Sequence, residues 1–410
     1  MSPILSALLR NKTGAVLVAV QVAISLAILA NALHIVNVRQ AVAARPSGIA
    51  DESSVFYINS RYLTKESVEY DRAVQQRETA LLRALPGVAS VAIASQMPMS
   101  DSGRNASVAL DRKQVSHSTY VALYRTADSL VATWQLKLVE GRDFTPADVL
   151  EADPRVSNEF PPTIIITRAL AAKLWPGEAS VIGKKLLFGM GEEADESRVI
   201  GVVERLQTTS AQVEEEGEFS VIQAYRPLGG IPGAMYTVRT EPGQRDRVMK
   251  EAEEAMSKGA GAPVIIEAKT TAGDRIERYR ADVALSWTLI AVSVLLLVVT
   301  ASGIVGMASL WVTQRRKQIG VRRALGARRA DILRYFITEN LMITSAGVVS
   351  GLLLAIGLNH LLVIKLQMAK LPLEYLLSGA AVFFVLGIGA VYGPAWRAAS
   401  ISPALATRSA

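Results

Sequence analysis

Four long stretches of this chain are almost free of charge, and they constrain its fold more than any other feature. Residues 14–33 and 283–312 contain no charged side chain. Residues 335–364 contain only Glu339, and 373–395 only Glu374. At 1.5 Å per residue, roughly 20 apolar residues match a hydrocarbon core of about 30 Å. Soluble core helices rarely hold such runs, so each is expected to span a bilayer. Residues 14–33 are long for the apolar part of a signal peptide, and Asn31-Ala-Leu-His-Ile-Val-Asn-Val-Arg39 offers no convincing small-x-small cleavage site, so the expectation is a retained anchor.

Lysine and arginine set the orientation. Between the second and third runs lie Arg315, Arg316, Lys317, Arg322, Arg323, Arg328, Arg329 and Arg334, against the single acid Asp331. Between the third and fourth, only Lys365 and Lys370 are basic. The positive-inside bias places the arginine-rich loop in the cytoplasm. An even number of spans puts both termini there, in agreement with Arg10, Lys12, Arg397 and Arg408. Residues 38–282 then lie outside the cytoplasm.

The net charge of +7 does not point to nucleic acid, because much of the excess sits in that one loop. Cysteine is absent, which excludes disulfides, thiolate catalysis and cysteine metal sites. The three histidines are His34, His117 and His360. His34 and His360 stand near the ends of apolar runs and read as interfacial polar residues. No G-x-S-x-G, H-E-x-x-H or carboxylate–histidine cluster suggests catalysis. The nearest phosphate-loop candidate, Gly177 to Lys185, has one residue too many between its glycines. It also has Lys185 where a magnesium-binding hydroxyl belongs. No cofactor or metal is therefore expected on this chain.

The outer segment has ordinary globular patterning. Strands are expected at 54–59, 88–94, 120–124, 163–166, 198–203, 219–225, 235–239 and 263–267, with helices at 71–85 and 245–257. Strand–helix–strand followed by strand–strand–helix–strand suggests a ferredoxin-like lobe interrupted by a second lobe. From Thr271 a polar helical pattern runs straight into the second apolar run. The fold class is thus an α-helical membrane protein with four transmembrane helices plus a large α+β extracytoplasmic domain, a ferredoxin-like lobe with an inserted second lobe. The expected boundaries are 1–37 for the N-terminus and first span, 38–282 for the outer domain and 283–312 for the second span. A cytoplasmic loop at 313–334, spans at 335–364 and 373–395, and a tail at 396–410 complete the chain.

Several segments resemble one family. Arg315-Arg-Lys-Gln-Ile-Gly-Val-Arg-Arg-Ala-Leu-Gly-Ala327 is similar to the R-x-x-E-I-G-I-R-R-A-L-G-A loop of MacB/FtsX-type ABC transporter permeases, with Asp331 and Glu339 following. Pro394-Ala-Trp-Arg-Ala-Ala-Ser-Ile-Ser-Pro403 resembles that family's closing P-x-x-R-A-x-x-x-x-P. In the outer segment, Leu85-Pro-Gly-Val88, Glu140-Gly-Arg-Asp-Phe144, Ala169 to Glu178 with Ile182-Gly-Lys184, and Val199-Ile-Gly-Val-Val203 resemble its turns and strands. The resemblance implies a MacB-like periplasmic core domain joined to an FtsX-like permease domain in the bacterial inner membrane. It implies a dimer with a second permease copy or a related permease, a cytoplasmic ABC ATPase that holds Mg-ATP, and a periplasmic adaptor protein. It implies mechanotransmission, in which ATP-driven closure moves the outer domain for efflux or export. Members such as MacB carry a fused ATPase, so a separate ATPase subunit is expected here. Envelope signalling and lipoprotein extraction are the alternatives within the same architecture.

The loop is the expected site: Arg315, Arg316, Gln318, Ile319, Gly320, Arg322, Arg323, Leu325 and Gly326. A positive anchor on anionic lipid accounts for part of its charge. Ile319, Val321, Leu325, Ile332 and Leu333 interleave with the arginines, as docking into a groove on another protein requires. Gln318 stands where the family has an acid; the lost charge either weakens one ATPase contact or marks this chain as one half of an unequal pair, and the expectation is a heterodimer with a related permease. Gly347 and Gly351 form a small-xxx-small pattern for helix packing, and Gly303, Gly306, Gly387, Gly389 and Gly393 also suggest close helix approach.

Overall fold

The computed structural model describes residues 12–64, 67–100, 102–153, 155–211, 215–229, 233–366 and 370–400. Arg10, Pro403 and Arg408 lie outside the described residues. In chain order the elements are α1 (Lys12–Ala43), β1 (Val55–Tyr62), α2 (Val68–Arg83), β2 (Val88–Ile93), β3 (Asn105–Ala109) and β4 (Thr119–Thr126). There follow α3 (Leu130–Trp134), β5 (Leu138–Gly141), β6 (Leu150–Ala152), β7 (Thr163–Thr167), α4 (Arg168–Leu174), β8 (Lys185–Phe188) and β9 (Asp195–Val203). The remaining elements among the described residues are β10 (Ser220–Pro227), β11 (Met235–Thr240), α5 (Arg245–Gly259), β12 (Val264–Thr270), α6 (Thr271–Gln314), α7 (Arg316–Ala324), α8 (Arg329–Leu366) and α9 (Leu373–Ala399). They divide into two units, Ala41–Ala281 and the remainder, Met1–Gln40 with Asp282–Ala410.

The unit Ala41–Ala281 begins and ends with one antiparallel sheet of order β12-β1-β11-β2. Numbered within this sheet alone, that is 4-1-3-2, with helices α2 and α5 in the two crossovers: the ferredoxin-like arrangement. Successive side chains point to opposite faces of the sheet, so Phe56, Ile58, Val91, Ile93, Tyr236 and Val238 turn one way and pack against Leu82, Val248 and Met256 of the helices. Ser67 caps α2 by accepting the Tyr70 N–H at 3.2 Å.

The described residues between β2 and β11 form the second lobe. Its strands pair β4-β3-β8-β9-β7-β10, and β10 then pairs with β4, so the sheet closes on itself. The β10–β4 and β7–β9 ladders are parallel, and the other ladders of this ring are antiparallel. The opposite face of the first sheet, through Val55, Tyr57 and Ala92, shares a core with Tyr124, Leu130, Trp134, Ile165 and Ile222 of this lobe. Trp134 is fully buried and donates its indole N–H to the Thr237 hydroxyl at 2.8 Å.

Among the described residues of the whole chain, four helices, α1, α6, α8 and α9, are long and apolar enough to cross a membrane. Continuous α6, 44 residues long, extends about 66 Å. In the other unit α1 is the helix most enclosed by its neighbours. Val22, Leu26 and Ala30 are fully buried. Gly347 and Gly351 of α8 make that approach possible. A Cβ on Gly347 would stand 2.8 Å from the Ala19 carbonyl oxygen, and one on Gly351 would stand 2.9 Å from that of Ala23. Gly303 faces Gln21, and Gly387 faces Asn340 and Thr344. Gly306, Gly389 and Gly393 have nothing within 4 Å of such a Cβ, so they mark no close approach among the described residues.

Candidate functional site

The arginine-rich segment folds as a short helix between two long ones. Arginine, lysine, glutamine and alanine favour the helical state, and α7 runs nine residues on that basis. Gly326 stops it. Its φ of +97° is open to glycine, and the Ala327 N–H returns to the Arg322 carbonyl at 3.0 Å while the Gly326 N–H returns to Arg323 at 3.2 Å. Arg322 and Arg323 thus occupy the last turn of α7, where a helix favours cations. Asp331 then opens α8 by accepting the Arg328 N–H at 2.9 Å.

The residues singled out in the sequence separate into two groups. Arg315, Ile319 and Gly320 turn toward the helical bundle. Arg315 donates to the Glu339 carboxylate at 2.7 Å, with Glu339 only 1% exposed. Ile319 is buried in one core with Trp311, Ile332, Phe336 and Ala398. Arg322 stacks over the Tyr335 ring, its guanidinium carbon 5.2 Å from the ring centre. Arg323 is half-buried, and its Nε has no protein hydrogen-bond partner among the described residues.

Arg316, Lys317, Gln318, Val321, Leu325 and Gly326 face outward. Val321 is 53% exposed and Leu325 83%. The reading of all the interleaved apolar residues as a docking face therefore needs correction. Ile319 and Ile332 are spent on the bundle core, because a helix of this length keeps its position only by burying one face. What remains outward is a pair of apolar knobs, Val321 and Leu325, four residues apart among cations. Tyr335, which braces Arg322, was not singled out in the sequence; its place one position from Arg334 and four from Glu339 was the available signal.

Residues 290–403 match the family profile for the FtsX-like permease C-terminal domain. Residues 20–256 match that for the MacB-like periplasmic core domain, more than half of the chain. The chain belongs to the MacB/FtsX-type ABC permeases. Among similar proteins, the pyoverdine export ATP-binding/permease protein PvdT of Pseudomonas savastanoi pv. phaseolicola is 26% identical over 302 residues, 72% of this chain and 43% of PvdT. PvdT of Pseudomonas syringae pv. syringae is 24% identical over 368 residues, 87% of this chain and 51% of the relative. The macrolide export ATP-binding/permease protein MacB of Bradyrhizobium diazoefficiens is 38% identical over 124 residues, 30% of this chain and 19% of the relative. This MacB/FtsX-type permease spans about half the length of the PvdT relatives it matches.

Proposed function

We propose that this permease couples an ABC ATPase to export, with residues 315–326 as the docking element and α6 as the rod that carries motion toward residues 41–281. The observation that supports this reading is the division of labour within α7. Arg315 and Ile319 hold the helix against the bundle, while Val321 and Leu325 protrude among free-facing cations. A positive anchor on lipid needs charge but no ordered pair of knobs on a braced helix; a groove on a partner protein needs both. Mg-ATP is held by the partner.

In this reading the arginine loop faces the cytoplasm of a bacterial inner-membrane protein, and residues 41–281 lie in the periplasm, as the lysine and arginine bias requires. A second copy or a related permease completes the bundle, and Gln318 in place of the family's acid favours an unequal pair. A periplasmic adaptor would receive the movement.

The test is Arg322→Glu with Arg323→Glu. The variant is expected to insert normally and to lose stimulation of the partner ATPase. Undiminished stimulation would remove the docking assignment. Copurification of two copies of this chain with the ATPase, and no second permease, would remove the unequal pair.

A further inference from the structure

The first turns of α6 reach out to separate parts of the Ala41–Ala281 unit. Asp274 accepts the Tyr57 hydroxyl of β1 at 3.1 Å. Arg278 donates to the Ser210 carbonyl of the inserted lobe at 3.1 Å. Tyr279 is buried with Val42, Met99 and Ala211. Between them, Arg275 makes the most demanding set of bonds. Its Nε and Nη2 donate to the two oxygens of Glu52 at 2.9 and 2.6 Å. Its Nη1 donates to the carbonyls of Ala43 and Arg45 at 2.8 and 3.0 Å. Glu52 is held in turn by the Ser47 hydroxyl at 2.6 Å.

Ala43 is the last residue of α1. The final carbonyls of a helix have no partner within it, and they carry the negative end of its dipole. Arg275 therefore caps α1 with a cation while its other edge is fixed on Glu52. Only a planar fork of donors can do both at once; a lysine ammonium lacks that geometry. A pair serving the local fold alone would be complete with Glu52. The two further donations fasten a second helix. Farther along α6, Asp282 pairs with Arg39 of α1, a second rung between the same two helices.

We propose that Arg275 is a positioning residue that locks the end of α1 to α6, so that the two helices shared with the membrane-spanning part deliver one displacement instead of two independent ones. The positioning role rests on the coupling function proposed above; the lock itself does not.

The sequence has no cysteine, so Ala44→Cys with Arg280→Cys gives a clean nitroxide pair in this chain in lipid nanodiscs. The parent pair should give a narrow distance distribution by dipolar broadening. Arg275→Gln and Glu52→Gln should each widen it about twofold, because both abolish the bidentate attachment, with Arg275→Lys in between. Unchanged widths in both glutamine variants, with normal gel-filtration profiles, overturn the lock. The positioning role is read with the partner ATPase bound, as the difference in amide exchange of residues 41–281 between vanadate-trapped and nucleotide-free states. Arg275→Gln should lose more than half of that difference while ATP hydrolysis stays within about twofold. A full difference in that variant overturns the positioning role. Stimulation that survives charge reversal at Arg322 and Arg323 overturns the coupling function, while the nitroxide spectra still decide the lock.

Discussion

Arg315 and Glu339 form a 2.7 Å ion pair whose carboxylate is 1% exposed, and this pair joins the start of α7 to α8. Removing one partner leaves the other charge buried without compensation. Arg315→Ala is therefore expected to destabilise the detergent-solubilised chain by about 3–5 kcal/mol. Arg315→Ala combined with Glu339→Ala should cost less than the sum of the single changes. Thermal unfolding of the four proteins checks this, and strictly additive losses would show that the pair contributes nothing as a pair.

Two glycines of α8 should respond in opposite ways. Gly347→Ala sets a methyl group 2.8 Å from both the Ala19 carbonyl oxygen and the Val22 Cβ, backbone and branch point that cannot swing away. The expected loss is about 1–3 kcal/mol. Gly357→Ala meets nothing within 4 Å and gains helix propensity, so it should be neutral or stabilising by up to about 1 kcal/mol. Melting temperatures in one detergent compare them directly.

Acid should weaken the Arg275 lock. Burial pushes Glu52 up, but the Arg275 and Ser47 hydrogen bonds outweigh it and hold the carboxyl below its ordinary 4.5. A depressed carboxylate contributes stability that is fully present above the unfolded value and is lost as pH falls through the folded one. Asp71 runs the other way. Burial raises it above 3.8 despite the Gly229 and Gly233 N–H groups, so its folded form takes up a proton first and its own contribution improves as pH falls through the raised value. Glu52→Gln should therefore flatten the fall in stability below pH 4.5. Unfolding curves that stay parallel to the parent's would exclude Glu52 as the group responsible.

Trp134 ties the two lobes of the Ala41–Ala281 unit through the shared core and through Thr237. Trp134→Ala should cost about 3–5 kcal/mol. Protection from amide exchange should fall together in β1 and β9, because one core serves both lobes. Loss confined to β9 would mean that the lobes unfold independently.

Much of this architecture was legible because simple periodicities carried it. The uncharged runs lie within α1, α6, α8 and α9, and continuous α6 was readable because no glycine or proline falls between Asp274 and Leu297. The ferredoxin-like lobe was legible from the order of its strands and helices and not from alternation, since β1 is buried on both faces. Strands β3, β5, β6 and β8 were not. They are three to five residues long; β3 and β8 pair within the ring, while β5 pairs with β9 and β6 with β10, and none is marked by a local pattern. Helices α3 and α4 were missed for a similar reason, being five and seven residues long. In the loop, the arginine cluster was visible, but which apolar residues turn inward was not, since that is decided by contact with α8 and α9. Arg275 gave no signal at all. It stands in an ordinary run of charges, and its partners at Ala43 and Arg45 lie far away along the chain.

The order in which strands become available has a consequence for biogenesis. Among the described residues β1 pairs only with β11 and β12, so Val55–Tyr62 emerges early in synthesis yet has no neighbour until the ribosome has passed Met235 and then Val264. The ring of the inserted lobe likewise waits for Ser220–Pro227 to reach β4. A nascent chain halted before these points carries an unsatisfied, strongly apolar strand with open edges, the kind of surface that chaperones shield and that aggregates when they do not.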